Sequence, residues 1–334
     1  MFNIPESMYF ESKLIDDGVT IKPRMAIIHN SYKCNQACKY CFFHDYNIEN
    51  QTSGKVMPID KLTKLIDELS VFGLKSVQFC GGGEPLICEN MNLAFDRVGA
   101  RGLSGSLITN GVLLTGKVME SAVTNCSWIR VGLDTVSPYL YKLIRGTDDC
   151  GLVLENIKKM LHYRKNSNSN CEISIKICLY KGVSLDTIQD VFSYFKDSGI
   201  DNIQVKHVWD KEGEYYNTSI TKENIGALNA YDNQVVRKVH YAKYMNEPCW
   251  LSPMQTTIDC RGNVYLCCYY QGRDEEHKIG NVFEKPFEEI WNSQYRRDKI
   301  KKIKMKECLK NDCRFQKYMA TIRKYQKHKT LDFV

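Results

Sequence analysis

An α/β fold built on a parallel sheet, an open or closed α/β barrel, is what this sequence predicts, on three observations. Between residues 24 and 208 six short β-rich runs alternate with segments of helical period. The helical segments carry apolar residues on one face only, as helices packed on a sheet do. After Pro248 the pattern changes to a compact hairpin followed by one short helix. Strand–helix units in series require right-handed crossovers between parallel strands.

The strand candidates are residues 25–29, 76–80, 105–109, 128–133, 172–179 and 202–206. Between the first two, Ile59, Leu62, Leu65, Ile66, Leu69 and Phe72 repeat at the spacing of one helical face, and Leu185, Ile188, Val191, Phe192 and Phe195 do the same later. Residues 209–247 are charged and Tyr-rich and read as a connector or lid, with one weakly periodic helix near Thr221. Residues 256–259 and 264–270 flank Arg261-Gly262-Asn263 as a β-hairpin. A helix opens at Pro286, which suits a first helical turn, and turns Phe287, Ile290 and Trp291 inward.

Composition excludes several classes. With 43% hydrophobic and 25% charged residues the 334-residue chain is neither disordered nor collagenous. No apolar run approaches the ~18 residues of a spanning helix, and residues 1–13 show no signal-peptide core, so a cytoplasmic protein without membrane partners is expected. Fifteen cysteines in such a chain point to metal binding or chemistry rather than a disulfide framework. The formal charge of +7 fits an anionic ligand and decides little. The run Arg296, Arg297, Lys299, Lys301, Lys302, Lys304 and Lys306 reads as the solvated face of a helix, and no nucleic-acid-binding signature accompanies it.

In an α/β barrel the chemistry sits on loops after the strands' C-terminal ends. Directly after the first strand stands Cys34-Asn-Gln-Ala-Cys38-Lys-Tyr-Cys41. Three thiolates at this spacing can hold three corners of a cubane iron–sulfur cluster and leave one iron open. The alternative is a zinc site that borrows a distant fourth ligand such as His44. The second strand ends in Gly81-Gly82-Gly83-Glu84-Pro85, where glycines admit a ligand close to the backbone and Glu84 supplies a carboxylate.

These residues resemble the radical S-adenosylmethionine (radical SAM) superfamily. The C-x3-C-x2-C motif at Cys34, Cys38 and Cys41 and the GGE motif at Gly82, Gly83 and Glu84 carry the resemblance. Ile108-Thr109-Asn110-Gly111, Leu133-Asp134 and Ile144-Arg145-Gly146 support it over about residues 24–208. The resemblance implies a partial (β/α)6 barrel with a [4Fe–4S] cluster whose open iron is chelated by S-adenosylmethionine, which is cleaved to a 5′-deoxyadenosyl radical. It implies that Tyr40 flanks the adenine, Gly82, Gly83 and Glu84 hold the methionyl ammonium, and Arg145 faces the methionyl carboxylate. Gly132 stands where the family often has Ser, which leaves Asn110, Asp134 or Ser174 for the ribose.

A second cysteine set, Cys249, Cys267, Cys308 and Cys313, follows. Four thiolates would saturate a cluster or hold a structural zinc, and spacing alone does not separate the two. The region resembles the SPASM/Twitch auxiliary-cluster domains through Cys249-x12-Gly262-x4-Cys267, Ile279-Gly280-Asn281-Val282, Phe287-x2-Ile290-Trp291 and the last cysteine pair. It implies one auxiliary [4Fe–4S] cluster on these four residues, with Cys260 or Cys268 as alternates because the final pair is spaced C-x4-C. Cys268 is also a candidate hydrogen-atom donor, as in radical SAM peptide epimerases. The expected organisation is an extension (1–23), the barrel (24–208), a connector (209–247), the auxiliary-cluster domain (248–320) and a basic tail (321–334).

The leading functional expectation is dehydrogenation of a small sugar-like or polar substrate, with the auxiliary cluster as electron acceptor and flavodoxin or ferredoxin as reductant. The runner-up is modification of a ribosomal peptide or protein, for which the residues before the first strand leave little room for a leader-recognition module. The contrasting reading is a structural metal-binding protein.

Overall fold

The β-rich runs pair, and they pair in parallel. In a computed structural model, which describes residues 22–43, 55–208, 220, 234–236, 249, 252–268 and 274–303, the strands are β1 (Met25–His29), β2 (Ser76–Phe79), β3 (Ser104–Thr109), β4 (Cys126–Gly132), β5 (Glu172–Leu179), β6 (Asn202–His207), β7 (Gln234–Val236), β8 (Gln255–Asp259), β9 (Asn263–Tyr265) and β10 (Lys278–Asn281). They form one sheet in the order β10-β9-β8-β1-β2-β3-β4-β5-β6-β7. Strands β1 to β7 run parallel, and β8 adds parallel to β1 on its other side. β9 and β10 are antiparallel. Edge strands β10 and β7 lie at opposite ends of the order, so the sheet is open and the closed-barrel option falls away.

Helices α1 (Ile59–Phe72), α2 (Met91–Ala100), α3 (Gly116–Asn125), α4 (Pro138–Arg145), α5 (Cys150–Ser167) and α6 (Leu185–Phe195) fill the crossovers, and α7 (Asp274–His277), α8 (Phe287–Asn292) and α9 (Gln294–Lys302) follow the hairpin. The predicted stripe of α1 is the buried one: Leu62, Leu65, Ile66, Leu69 and Phe72. The helix stops at Gly73, whose φ of 108° lets its N–H reach Leu69 and Ser70 carbonyls. Ser184 and Thr187 cap α6 reciprocally.

Strand alternation decides what faces the helices. Ala26, Ile28, Val77, Phe79, Leu107, Ile129, Val131, Ile173, Ile175, Ile177, Ile203 and Val205 join the helix residues in one apolar core. The intervening residues, Ile27 and Gln78 among them, face the other way. That opposite, inner face is where polar side chains gather.

Two expectations change. The hairpin joins the main sheet, β8 continuing it beyond β1 with Met25 to His29 opposite Gln255 to Asp259. Its return arm is short, Asn263–Tyr265, so Cys267 lies just beyond β9 rather than on it, and β10 supplies a third strand. The basic run is not wholly a solvated face: Arg296 is buried, its guanidinium over the Trp291 ring at 4.2 Å, and burial lowers its pKa to about 10. Lys304 and Lys306, the 321–334 tail, residues 1–21 of the extension and most of the 209–247 connector lie outside the described residues. Among the described residues no helix is long and apolar enough to cross a membrane.

Candidate active site

The loops after β1 and β2 and the C-terminal end of α4 converge on one cavity. The first cysteine loop is built almost entirely from backbone bonds. Tyr32 N–H donates to Lys55 C=O at 2.8 Å and Met57 N–H to Asn30 C=O at 2.9 Å, which anchor its start. Ala37 and Lys39 N–H groups donate to Arg145 and Ile144 carbonyls at 3.1 and 2.9 Å, which hang its middle on the last turn of α4.

Opposite this loop, Gly81 and Gly82 take φ of +74° and +72°. A Cβ on Gly82 would lie 2.5 Å from the Ser31 carbonyl, and one on Gly83 would collide with the Lys33 carbonyl. Only glycines let the two loops approach this closely. Glu84 pins the turn. Its Oε1 accepts from Leu86 N–H at 3.1 Å and the Thr109 hydroxyl at 2.7 Å, and its Oε2 from Asn110 N–H at 2.8 Å. Burial raises the Glu84 pKa, against the pull of these donors. Three of a carboxylate's roughly four acceptor positions are thus used inside the chain, and one on Oε2 remains.

At the third corner Asp134 is fully buried. Its Oδ2 accepts from Arg145 Nε at 2.8 Å and from the Tyr40 hydroxyl at 2.9 Å, and its Oδ1 from Cys178 N–H at 2.8 Å. Burial is the largest single influence on Arg145 and disfavours its charge, but Asp134, Tyr40, Cys38 and Cys178 together outweigh it, so the guanidinium pKa is raised. Arg145 Nη1 reaches Cys38 Sγ at 3.8 Å, and Nη2 is buried without a hydrogen-bond partner. The departure at Gly132 has a physical cause: a Cβ there would stand 3.0 Å from Arg145 Nη2. The guanidinium occupies the space a serine would fill.

A cavity of about 460 Å³ joins these parts, lined by Cys34, Cys38 and Cys41, by Gly81, Gly82 and Gly83, and by Gly146. Cys34 is exposed and the other two thiols are half-buried. Burial pushes the Cys38 thiol up to about 12, opposed by Arg145. Among the described residues no three His, Cys, Asp or Glu side chains converge as a single ion requires. Thiols spaced around a shared cavity suit a multi-iron cluster, and the orphan Arg145 Nη2 suits a carboxylate beside it. His44, the zinc alternative's ligand, lies outside the described residues.

Two family models match this chain. One, the radical SAM superfamily, covers residues 31–195, and the other, the SPASM iron–sulfur cluster-binding domain, covers residues 249–314. The chain belongs to the radical SAM superfamily. Its family cofactors are S-adenosylmethionine, a [4Fe–4S] cluster and auxiliary iron–sulfur clusters. Among curated relatives, the GTP 3′,8-cyclase of Clostridium perfringens (strain 13 / Type A) is 28% identical over 173 residues, 51% of this chain and 50% of the relative. A probable GTP 3′,8-cyclase of Methanocaldococcus jannaschii is 26% identical over 199 residues, 58% of this chain and 63% of the relative. The chain therefore spans about half the length of the first of these relatives. Streptococcus suis SuiB bound to its precursor peptide SuiA superposes with a TM-score of 0.65 at 16% identity, over 91% of this chain and 73% of that one. Native anSMEcpe with bound AdoMet gives 0.58 at 16% identity, over 92% and 100%. Both structures show the shared radical SAM fold.

Most of the expected site residues gather at this cavity. Cys34, Cys38, Cys41, Gly82 and Gly83 line it, and Tyr40, Glu84, Asn110, Asp134 and Arg145 stand directly behind those linings. Ser174 does not join them. It sits in the lower half of β5, five residues before Leu179, and its hydroxyl donates to the Ile129 carbonyl at 3.4 Å. Strand alternation placed it on the right face but says nothing of height along the strand. Sequence reasoning missed Asn35, whose Oδ1 accepts from Asn110 Nδ2 at 2.7 Å, and Gln36, whose Nε2 donates to the Tyr141 hydroxyl at 2.7 Å. Both lie between the cysteines, and that position was the available signal.

The C-terminal cysteines are partly outside view. Cys249, Cys267 and Cys268 are half-buried. Ser252 Oγ donates to the Leu266 carbonyl at 3.1 Å, which draws the segment after Cys249 toward the residue before Cys267. Cys308 and Cys313 lie outside the described residues. Cys260 is buried, and its thiol faces the Lys55 carbonyl at 3.5 Å.

Sequence reasoning also missed Asp259, the end of β8. It is fully buried and accepts from the Tyr32 and Tyr265 hydroxyls at 3.1 Å each, from Asn263 Nδ2 at 3.0 Å and from Arg261 Nη2 at 3.0 Å. Nearby, His29 meets Phe43 edge-on at 5.2 Å, and Phe43 packs on Tyr265. The C-terminal strands therefore back the first cysteine loop from behind.

Proposed function

We propose that this chain is a radical SAM oxidoreductase that takes hydrogen from a small, polar, sugar-like substrate on the inner face of its sheet. When bound, the cluster and S-adenosylmethionine supply a low-potential electron and a hydrogen-abstracting carbon radical. One observation carries the reading: three thiols at family spacing share a cavity with the glycine turn at the strands' C-terminal ends.

The residues divide the work. Cys34, Cys38 and Cys41 hold the cluster. Arg145 turns Nη2 toward the methionyl carboxylate, and Asp134 fixes the guanidinium in that pose. Glu84 stiffens the Gly82–Gly83 backbone and offers its last acceptor position to the methionyl ammonium. Tyr40, locked by Asp134, presents its ring to the adenine. Asn110 and Asp134 are the ribose candidates that stand at the site. Cys249, Cys267, Cys308 and Cys313 hold an auxiliary cluster that accepts the substrate's electron, with Cys260 or Cys268 as alternates. Cys268 as hydrogen donor belongs to the peptide-epimerase version of the reading, and a flavodoxin or ferredoxin supplies the first electron. Sequence similarity to GTP cyclases, whose substrate is named as a nucleotide, supports a polar substrate over a peptide. Likeness to SuiB reaches the fold alone.

The test is anaerobic reconstitution with iron and sulfide, then dithionite and S-adenosylmethionine. Formation of 5′-deoxyadenosine is expected. Its absence from protein that retains zinc in place of iron would overturn the reading.

A further inference from the structure

One residue between the cysteines touches two of them. Gln36 is buried and lines the cavity of about 460 Å³. Its backbone N–H hydrogen-bonds the Cys34 sulfur. Its side-chain Oε1 accepts from the Cys38 thiol at 3.8 Å, and its Nε2 donates to the Tyr141 hydroxyl at 2.7 Å. Tyr141 is fully buried on α4, one turn before Arg145, whose Nη1 also reaches Cys38 Sγ at 3.8 Å. Gln36 and Arg145 thus meet at one sulfur, and Tyr141 anchors the amide.

That arrangement fits a thiol and fails for a thiolate. A cysteine sulfur that ligates iron carries no proton to donate, so an amide oxygen aimed at it brings two negative ends together. The Tyr141 hydroxyl is ill served as well. It receives the Gln36 N–H, and its own proton has no acceptor among the described residues. A half-turn about the last side-chain bond of Gln36 corrects both. The amide oxygen and nitrogen exchange places at nearly constant volume. Nε2 then faces Cys38 Sγ, and Oε1 accepts from the Tyr141 hydroxyl. The backbone stays where the bonds from Ala37 and Lys39 to Arg145 and Ile144 hold it.

We infer that Gln36 is a positioning residue that raises the reduction potential of the first cluster: with Cys38 bound to iron, its Nε2 donates to Cys38 Sγ while its backbone N–H donates to Cys34 Sγ. Hydrogen bonds to cluster sulfurs favour the more negative, reduced state and are among the levers that set such potentials. A higher potential eases entry of the first electron. The inference rests on the reading that Cys34, Cys38 and Cys41 hold the cluster, and it gives the residue between them a part in how readily that cluster is reduced.

The experiment is an anaerobic potentiometric titration of the reconstituted full chain, with the reduced cluster read by electron paramagnetic resonance. The signal lost in Cys41→Ala belongs to the first cluster. Gln36→Leu keeps the side-chain volume and removes both amide ends. It should lower the reduced fraction at a fixed potential by about tenfold, equivalent to about 59 mV for a one-electron couple. Gln36→Glu, which accepts from Tyr141 and has nothing to donate, should lower it at least as far. In deuterated buffer, electron–nuclear double resonance should give the wild type one exchangeable deuteron coupling beyond those of either variant. Circular dichroism and iron content establish that each variant is folded and loaded. An unchanged or raised potential in loaded Gln36→Leu overturns the inference, and a raised one is what an oxygen facing the sulfur gives. Adding S-adenosylmethionine to the same samples tests the underlying reading separately. A first-cluster signal that ignores the donor overturns the radical SAM reading while the Gln36 shift stands. A donor-responsive signal without that shift removes the role of Gln36 alone.

Discussion

The two cysteine sets of this chain are held in different ways. Cys34, Cys38 and Cys41 sit on one continuous loop whose backbone is tied to Lys55, Met57, Ile144, Arg145 and Glu84. Cys249 and Cys267 come from two segments that meet through Ser252 and Leu266, and their proposed partners come from a third stretch of chain. A loop that is preformed by its scaffold can bind a cluster with one iron left open and keep that opening directed. A site assembled from distant segments depends on its metal for geometry, as structural metal sites do. The first arrangement suits chemistry, the second a closed electron relay.

The sharpest way to break this contrast is to remove thiols from each set. Cys34→Ala, Cys38→Ala and Cys41→Ala together should abolish 5′-deoxyadenosine formation, with the fold kept by circular dichroism. Cys249→Ala with Cys267→Ala should lower bound iron by about one cluster and leave measurable cleavage. Equal loss from both would mean that the sets do not differ in role.

Next in size is the ion pair behind the first loop. Asp134→Ala strands a buried guanidinium and should destabilise the protein by about 3–5 kcal/mol, read by denaturant titration. Asp259→Ala, which orphans donors from Tyr32, Arg261, Asn263 and Tyr265, should be of similar severity although it lies on the C-terminal strands. Tyr32→Phe removes one member of that group and should cost about 1 kcal/mol. If Tyr32→Phe also slows S-adenosylmethionine cleavage at unchanged stability, the C-terminal strands position the first loop as well as supporting it. The smallest effect is expected from Gly132→Ser, whose added atoms press on Arg145 Nη2 and should raise the S-adenosylmethionine Kd by several-fold with little change in melting temperature.

How much of this was legible beforehand follows the range of the interactions. The helical stripe of α1 and the β1 to β6 runs are local patterns, and they folded where their periods placed them. The cysteine triplet and the glycine turn are local too, and adjacent parallel strands had to bring their ends together. The union of β8 with β1 is a pairing across more than two hundred residues, and no local period encodes which edge a strand will join. Asp259 was overlooked for that reason: it reads only as the last residue of a hairpin strand, and the pairing with β1 carries it to Tyr32. Glu84 was read as a ligand contact, and the structure adds a staple that depends on where β3 ends. Ser174 lies lower on β5 than the other candidates, a height that counting back from the strand's end at Leu179 supplies.

The account stands on a cluster in the 460 Å³ cavity with one iron reserved for the sulfonium donor. Mössbauer spectroscopy of iron-loaded protein, recorded with and without S-adenosylmethionine, addresses this directly. One iron site of the first cluster should change its isomer shift and quadrupole splitting when the donor is added, and Arg145→Ala should weaken that response. Spectra that are superimposable with and without the donor, in protein carrying its full iron, would contradict it.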